Sequence, residues 1–487
     1  MATQNGTNGA VMNKSEDTLI IGQAANGVGI QAALLRMTRN MAAFEISNPA
    51  LNLRTSEVIN DFKIVIRDRT IYSGRAVVRN LVNAGLTTVC DVALEEKAWI
   101  DFKFSPEMLH DGRLDVEFRT FLESWQKLYR IDREFKIVMA DMQSYLTDLR
   151  LWMEQLELEI RSSPSISRTN LEKEVIDRLT DSVVDSIDSF IDRFEAIACV
   201  LDPQAEPAHR EYLRRQWHPL LLSSPFAYRA YHKPLGYAGD YEMVSMMLRA
   251  PYEGSTLFAK MLNVWLLKQV PAQAHRNRVA YLKRRLTDEM LRVARSGRKL
   301  RVFNLGCGPA EEVHQILRDG QFNRQIEFVL LDFNEETLES LRQSLNGLKN
   351  QPSADIPVRL IKKSIQQLLK ETSRSITRSP EDQFDFVYCA GLFDYVPDPT
   401  CKRLMNVLYD MLAPGGLLLA TNVSDVMNSS RPFRYSMEYI LDWYLIYRDR
   451  EALARLTPDG VASENVSIVA EGTGVNVFIE VRKPKHA

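Results

Sequence analysis

The stretch Arg301-Val-Phe-Asn-Leu-Gly-Cys-Gly-Pro-Ala310 decides how this chain is read. Residues 302–305 form an apolar run of strand length, and Gly306 and Gly308 make a tight turn. Glu311 and Glu312 then stand in the first turn of a helix, where acidic side chains suit the macrodipole. Glycines at such a turn let backbone approach a ligand closely, because no Cβ intervenes. Nucleotide-like cofactors are often gripped this way at the carboxyl end of a first parallel strand. A lone Gly-x-Gly is weak evidence, since many strand-to-helix turns contain glycine.

Four further runs downstream give the turn its weight. Ile326-Glu-Phe-Val-Leu-Leu-Asp-Phe333 is a second apolar run ending in Asp332, one βαβ unit beyond the turn, where a carboxylate can accept hydrogen bonds from ribose hydroxyls. A short strand at 358–361 precedes Lys362-Lys-Ser-Ile365, and Phe384-Asp-Phe-Val-Tyr-Cys-Ala-Gly-Leu-Phe-Asp-Tyr395 is a buried strand entering a turn. Leu412-Ala-Pro-Gly-Gly-Leu-Leu-Leu-Ala-Thr-Asn422 supplies a fifth strand, and runs at 467–470 and 475–481 end the sheet in a hairpin. Strands alternating with helices predict a parallel sheet covered on both faces. A dinucleotide site needs Gly-x-Gly-x-x-Gly; here the third position is Glu311, whose charge repels a pyrophosphate, so a dehydrogenase is disfavoured.

The chain has 487 residues, 45% of them hydrophobic, and a formal net charge of −2. That length predicts two to four globular units. The charge argues against general nucleic-acid binding, which shows as a basic domain. Cys90, Cys199, Cys307, Cys389 and Cys401 have no paired spacing for zinc or a disulfide framework. No apolar run approaches the ~20 residues of a membrane span, and the first residues lack a signal-peptide core. The expectation is a soluble cytoplasmic protein without a metal.

Residues 1–17, rich in Asn, Gly and Ser, are expected to be disordered. Short alternating runs over residues 18–117 predict a small β-barrel. Within it, residues 74–85 resemble half of a PilZ domain, whose Asn/Asp-x-Ser-x-x-Gly turn helps hold cyclic di-GMP. The turn here is Asn80-Leu-Val-Asn-Ala-Gly85, with Val82 replacing the serine. Arg75 and Arg79 have the family's arginine spacing in the wrong place and only Arg54 lies near the right one, so cyclic di-GMP is disfavoured.

Residues 118–202 read as helix. Phe121, Trp125, Leu128, Asp132, Phe135, Met139, Met142, Leu146, Leu149, Met153, Leu156 and Ile160 recur at four-three spacing, a heptad seam with one polar entry. A second amphipathic helix presents Leu171, Val175, Leu179, Val183, Ile187, Phe190, Phe194 and Ile197. An intramolecular hairpin and a homodimer through the 121–160 helix fit this pattern equally. Residues 203–298 are read as a helical lid and substrate-binding region, because Tyr231-His-Lys-Pro-Leu-Gly-Tyr-Ala-Gly-Asp-Tyr-Glu-Met243 crowds polar aromatics beside glycines. Asp240 fits a plain N-cap as well. His275, Asn277 and Arg278 lie on a mainly polar helical stretch, for which a solvated face is the plain expectation.

Residues 299–487 resemble the class I S-adenosylmethionine-dependent methyltransferases, in a Rossmann-like seven-stranded sheet. The whole would then be multidomain, α+β and α/β. The resemblance implies Gly306 and Gly308 at the methionine end of the cofactor, with Asn304, Cys307 and Glu312 around them, and Asp332 on the ribose. Phe333 would stack near adenine, Ser364 and Ile365 would flank the ring, and Ala390, Gly391 and Leu392 would line the methyl site. Cys307 reads as a small filler more than a nucleophile. Lys233-Pro-Leu-Gly-Tyr-Ala-Gly-Asp-Tyr-Glu-Met243, His275-Arg-Asn-Arg278 and Trp443-Tyr-Leu-Ile-Tyr-Arg448 are similar to the bacterial 3-hydroxypalmitic acid methyl ester biosynthesis family. That implies esterification of a 3-hydroxy fatty acid to a diffusible, quorum-sensing type of signal.

A carboxylate is ionised at neutral pH, so its methylation needs no general base, only alignment. It still needs a partner, best a bidentate arginine, for which Arg278 and Arg434 are the candidates. Tyr237, Tyr388, Tyr395 and Tyr447 can donate to a carboxylate or a hydroxyl. An alcohol, phenol or amine acceptor would benefit from a base, with Asp240, His232 or Asp394 as candidates. Met243, Met246, Met247, Leu257, Phe258 and Met261 would line an acyl cavity or be ordinary helical core. Another methyl acceptor, or a regulatory scaffold that binds cofactor, are the competing readings.

Overall fold

The computed structural model describes residues 18–24, 29–46, 53–66, 69–83, 88–99, 111–129, 131–162, 165–319, 325–349, 358–372, 383–424 and 433–485. The proposed tail at 1–17, the end of the PilZ-like turn, residues 380–382 and Ser430-Arg-Pro lie outside these residues. The described chain forms two compact units, the first running through Tyr129 and including Lys233–Tyr237, the second taking in the rest.

In the first unit six antiparallel strands close into a barrel in the order β1-β2-β3-β6-β5-β4. They are β1 (Thr18–Gln23), β2 (Gly29–Thr38), β3 (Met41–Ile46), β4 (Val58–Ile66), β5 (Arg69–Asn83) and β6 (Thr88–Leu94). Strand alternation fills the interior: in β4, Phe62 and Ile64 are buried while Asp61 and Lys63 are exposed. Phe62 packs edge-on to Tyr72, whose hydroxyl donates to the Arg75 carbonyl at 2.5 Å and accepts from the Glu95 amide at 3.0 Å. Arg75 itself is ion-paired to Glu95. Gly236 joins this unit by accepting from the Val58 amide at 2.5 Å. Helix α1 (Arg113–Tyr129) completes the unit.

The second unit opens with helices α2 (Arg133–Arg161) and α3 (Ser165–Ala198). The expected 121–160 helix is therefore interrupted. Asp132, the polar entry in the heptad, is the N-cap of α2, its side chain accepting from the Phe135 amide at 2.9 Å. An aspartate before an apolar run serves a helix start better than a buried seam. Phe135, Met139, Met142, Leu146, Met153 and Ile160 are buried against Ile176, Val183, Ile187 and Phe194 of α3, so the α2 part of the seam is used within the chain. The hairpin reading fits for this part of the seam.

Five more helices follow: α4 (Glu206–Leu221), α5 (Pro225–His232), α6 (Tyr241–Leu248), α7 (Leu257–Lys268) and α8 (Val270–Ala294). Met243, Met246, Met247, Leu257, Phe258 and Met261 are 0–7% exposed and belong to this helical core, which favours their packing role.

The sheet holds β7 (Leu300–Leu305), β8 (Ile326–Asp332), β9 (Val358–Lys362), β10 (Phe384–Cys389), β11 (Leu412–Val423), β12 (Val466–Ala470) and β13 (Asn476–Arg482). Its order is β12-β13-β11-β10-β7-β8-β9, with β13 antiparallel to both neighbours and the other pairs parallel. Every residue of central β10 is buried, as expected of a strand covered on both faces. Helices α9 (Glu311–Asp319), α10 (Glu335–Lys349), α11 (Ile365–Thr372) and α12 (Asp398–Asp410) make the crossovers, and α13 (Arg434–Ile440) and α14 (Arg450–Ala454) follow β11. Strand order reverses between β7 and β10, and ligands of such sheets bind in the crevice beyond the strand ends at that point. Met437, Tyr439, Ile440 and Trp443 sit in the same core as α2–α4, so the helical and sheet regions cluster as one compact unit.

Candidate active site

The glycine turn after β7 is pinned by its own amides. Gly306 and Cys307 both donate to the Leu331 carbonyl, at 2.8 and 3.0 Å. Gly306 (φ +69°) and Gly308 (φ +53°) are left-handed, a conformation glycine adopts without a Cβ penalty. A Cβ on Gly308 would meet nothing within 4 Å, so the turn faces open space. Asp332, 6% exposed, accepts from the Gly308 amide at 3.2 Å and from the Asn334 amide at 3.0 Å. The acid at the end of β8 is thereby held against the turn.

Beside the turn, Asn304 of β7 and Tyr388 of β10 are register partners. The Tyr388 hydroxyl donates to Glu312 at 2.7 Å. Asn304 is 2% exposed, and its Oδ1 has no hydrogen-bond partner among the described residues. Such a buried orphan acceptor suits a ligand's donor group. Burial raises the Glu312 carboxyl above its usual range and pushes the Cys307 thiol well up, so Cys307 is a packed filler and not a nucleophile.

Arg278 is not on a solvated face. It is 9% exposed, and its guanidinium Nη1 lies 2.9 Å from where a Cβ would stand on Gly391, in the turn after β10. Its Nη2 lies 3.0 Å from Nδ1 of His275, also 9% exposed. No carboxylate among the described residues forms an ion pair with Arg278. Burial lowers its pKa, opposed first by the Asp394 charge and then by Tyr395 and Glu312. Burial, and then the Arg278 charge, hold His275 well below its ordinary value, so its ring is neutral and can accept. The helical period did not reveal this inward face because its residues are polar.

The remaining expected residues divide by environment. Asp240 receives Arg229 in a bidentate pair, Nη2 to Oδ2 at 2.8 Å, and caps α6 through the Met243 amide at 2.9 Å. Its carboxylate thus serves as an ion-pair partner and a helix cap. His232 lies in α5 and stacks on Tyr228 at 3.9 Å. Tyr395 accepts from the Trp443 indole at 2.9 Å, and both crowd Gly239. Arg434 donates to Glu438 at 2.9 Å and lies over the Tyr447 ring at 5.3 Å, so Arg278 is the better-placed anion partner. Tyr237 groups with the barrel unit. Ser364 is the N-cap of α11: its hydroxyl accepts from Gln367 at 3.2 Å while Gln367 accepts from the Ser364 amide at 2.9 Å, a capping box. Ile365 and Leu392 are buried; Phe333, Ala390 and Gly391 are half-buried.

Three supporting residues were not singled out by sequence. Thr421 Oγ1 accepts from the Gly391 amide at 3.0 Å. Glu195 of α3 receives the Tyr435 and Ser436 amides at 3.2 and 2.6 Å, capping α13 from a distance. Fully buried Arg448 donates to Asp398, Asn422 and the Phe393 and Val396 carbonyls at 2.6–2.9 Å. Their partners lie 26 to 241 positions away in sequence, so no local pattern marks them.

Residues 303–418 match the family described as "Methyltransferase domain". This stretch is therefore similar to methyltransferase domains. The chain's resemblance to solved structures is looser. A possible exported protein from Bordetella parapertussis is 18% identical over 66% of this chain and 99% of that one, with a TM-score of 0.44. The N-methyltransferase NodS from Bradyrhizobium japonicum, in complex with S-adenosyl-L-homocysteine, is 14% identical over 50% of this chain and 98% of its own, with a TM-score of 0.29. An O-methyltransferase family protein from Burkholderia thailandensis is 12% identical over 57% and 72%, with a TM-score of 0.31. No curated protein matches the sequence. The cofactor is S-adenosylmethionine, and the open space at Gly308, the orphan Asn304 oxygen and the buried Asp332 fit it. No helix among the described residues is long and apolar enough to cross a membrane.

Proposed function

We propose that this chain methylates a carboxylate oxygen of a 3-hydroxy fatty acid, giving a methyl ester. The observation that carries this is Arg278: a buried guanidinium without a carboxylate partner, set against the turn after β10. An unpaired buried charge is costly, and an acceptor carboxylate would relieve that cost. S-adenosylmethionine, when bound, supplies a methyl group activated by a positively charged sulfur. Gly306, Gly308, Asn304, Cys307 and Glu312 would hold its amino-acid end, and Asp332 its ribose. Phe333, Ser364, Ile365 and Leu392 would enclose the base and methyl sides, with Ala390 and Gly391 nearest the acceptor.

Arg278 orients the acceptor's carboxylate, and no residue has to remove a proton. Neutral His275 accepts one guanidinium N–H and so fixes the direction of the rest. Alignment of this kind supplies several kcal/mol of the barrier. Tyr395, braced by Trp443, stands on the same post-β10 turn. The test is methyl transfer from labelled S-adenosylmethionine to 3-hydroxy acids of graded chain length. A labelled ester supports the reading, and cofactor binding without any ester formed overturns it.

A further inference from the structure

Arg278 is not the only buried charge by the β10 turn without a matching partner. Asp394 is 3% exposed, and one carboxylate oxygen, Oδ1, accepts from the Val423 amide at 2.6 Å. Its second oxygen accepts no hydrogen bond among the described residues. Two arginines face this carboxylate electrostatically, Arg278 and Arg448. Arg448 donates to Asp398, Asn422 and two carbonyls, and gives Asp394 no hydrogen bond. Among the described residues Arg278 donates to His275 alone and forms no ion pair with Asp394. Burial lifts the Asp394 carboxyl above its usual range, the expected result of an acid that is desolvated and only partly compensated.

A guanidinium and a carboxylate, both buried, attract each other yet stay out of ion-pair reach. The ligand that completes such a pair carries an anion and, close to it, a hydrogen-bond donor. We propose that Asp394 determines acceptor specificity by accepting a hydrogen bond from a hydroxyl or ammonium borne near the acceptor's carboxylate. This rests on the carboxylate reading given under Proposed function. The cofactor's own amino-acid end has the same chemistry, but the groups assigned to that end above are Glu312 and the orphan Asn304 oxygen beside the glycine turn. Asp394 instead stands three positions beyond Gly391, next to Tyr395. The substitution that tests this is Asp394→Asn. The Val423 amide requires an oxygen opposite it, so the new NH2 would face the ligand and replace an acceptor with a donor.

Calorimetry on the full chain saturated with S-adenosylhomocysteine would compare 3-hydroxydecanoate with decanoate. Wild type is expected to bind the hydroxy acid at least tenfold more tightly, the usual scale of a hydrogen bond to a charged group. In D394N the ratio is expected to fall below threefold, with S-adenosylhomocysteine affinity unchanged within threefold. Equal binding of the two acids by wild type overturns the proposal without any variant and leaves the carboxylate reading standing. A ratio that survives in D394N overturns the proposal, and so does a tenfold loss of S-adenosylhomocysteine affinity, which would place Asp394 on the cofactor. If wild type binds neither acid, the carboxylate reading fails and takes this one with it.

Discussion

The Arg278 guanidinium fills the space that a side chain would need at Gly391. A Cβ built there stands 2.9 Å from Nη1 and 3.1 Å from Nη2, and Gly391 has a φ of +88°. Gly391→Ala is therefore expected to displace the guanidinium and to reduce kcat/KM at least a hundredfold. The backbone strain of a non-glycine residue costs only about 1–2 kcal/mol. Kinetics beside a thermal melt check this: an activity loss no larger than the stability loss would refute the link.

Arg278→Lys keeps the charge and removes the planar fork. Acceptor KM is expected to rise roughly 10- to 100-fold, in line with the ~1.5–3 kcal/mol of a hydrogen bond to a charged group. S-adenosylhomocysteine affinity should hold within threefold. A collapse of cofactor affinity instead would place Arg278 on the cofactor's carboxylate.

Asp332→Ala removes the acid that both braces the Gly308 amide and would meet the ribose. Calorimetry should show S-adenosylhomocysteine binding weakened by roughly 10- to 100-fold, on the same hydrogen-bond scale.

His275 sets a pH dependence of stability. Its folded-state pKa is depressed, by burial first and by Arg278 second. The unfolded chain therefore takes up the proton first as pH falls. The contribution is complete above the unfolded value of about 6.5 and is lost progressively below it. Denaturant melts between pH 7 and 5.5 should show a slope that His275→Asn reduces, by up to about 1.4 kcal/mol per pH unit. Parallel slopes for the two proteins would disprove it.

Asp132→Ala should lower stability by about 1 kcal/mol, the value of a lost N-cap, and leave kcat/KM unchanged. A chevron or urea melt with parallel kinetics decides between this cap and a role in a seam between chains.

The sheet and its cofactor edge were legible because they are local. Asn304, Gly306, Gly308 and Glu312 fall within nine residues, and Asp332 comes one βαβ unit later. The acceptor side was less legible because it is assembled from distant pieces. Arg278 and His275 look solvated in a polar helix and become buried only when α8 packs on the sheet. Asp240 reads as a lid acid until Arg229 is placed against it. The heptad at Asp132 failed for a different reason: one aspartate fits a polar seam position and a helix cap equally well in sequence, and only the backbone break before Arg133 separates them.

Arg448 holds the chain around Phe393–Tyr395 through carbonyls on either side of it and through Asn422 at the end of β11. The turn's own side chains add to this frame, Asp394 through the Val423 amide and Tyr395 through the Trp443 indole. A change of acceptor achieved at either position would have to keep those ties, and at Asp394 that means keeping an oxygen opposite Val423.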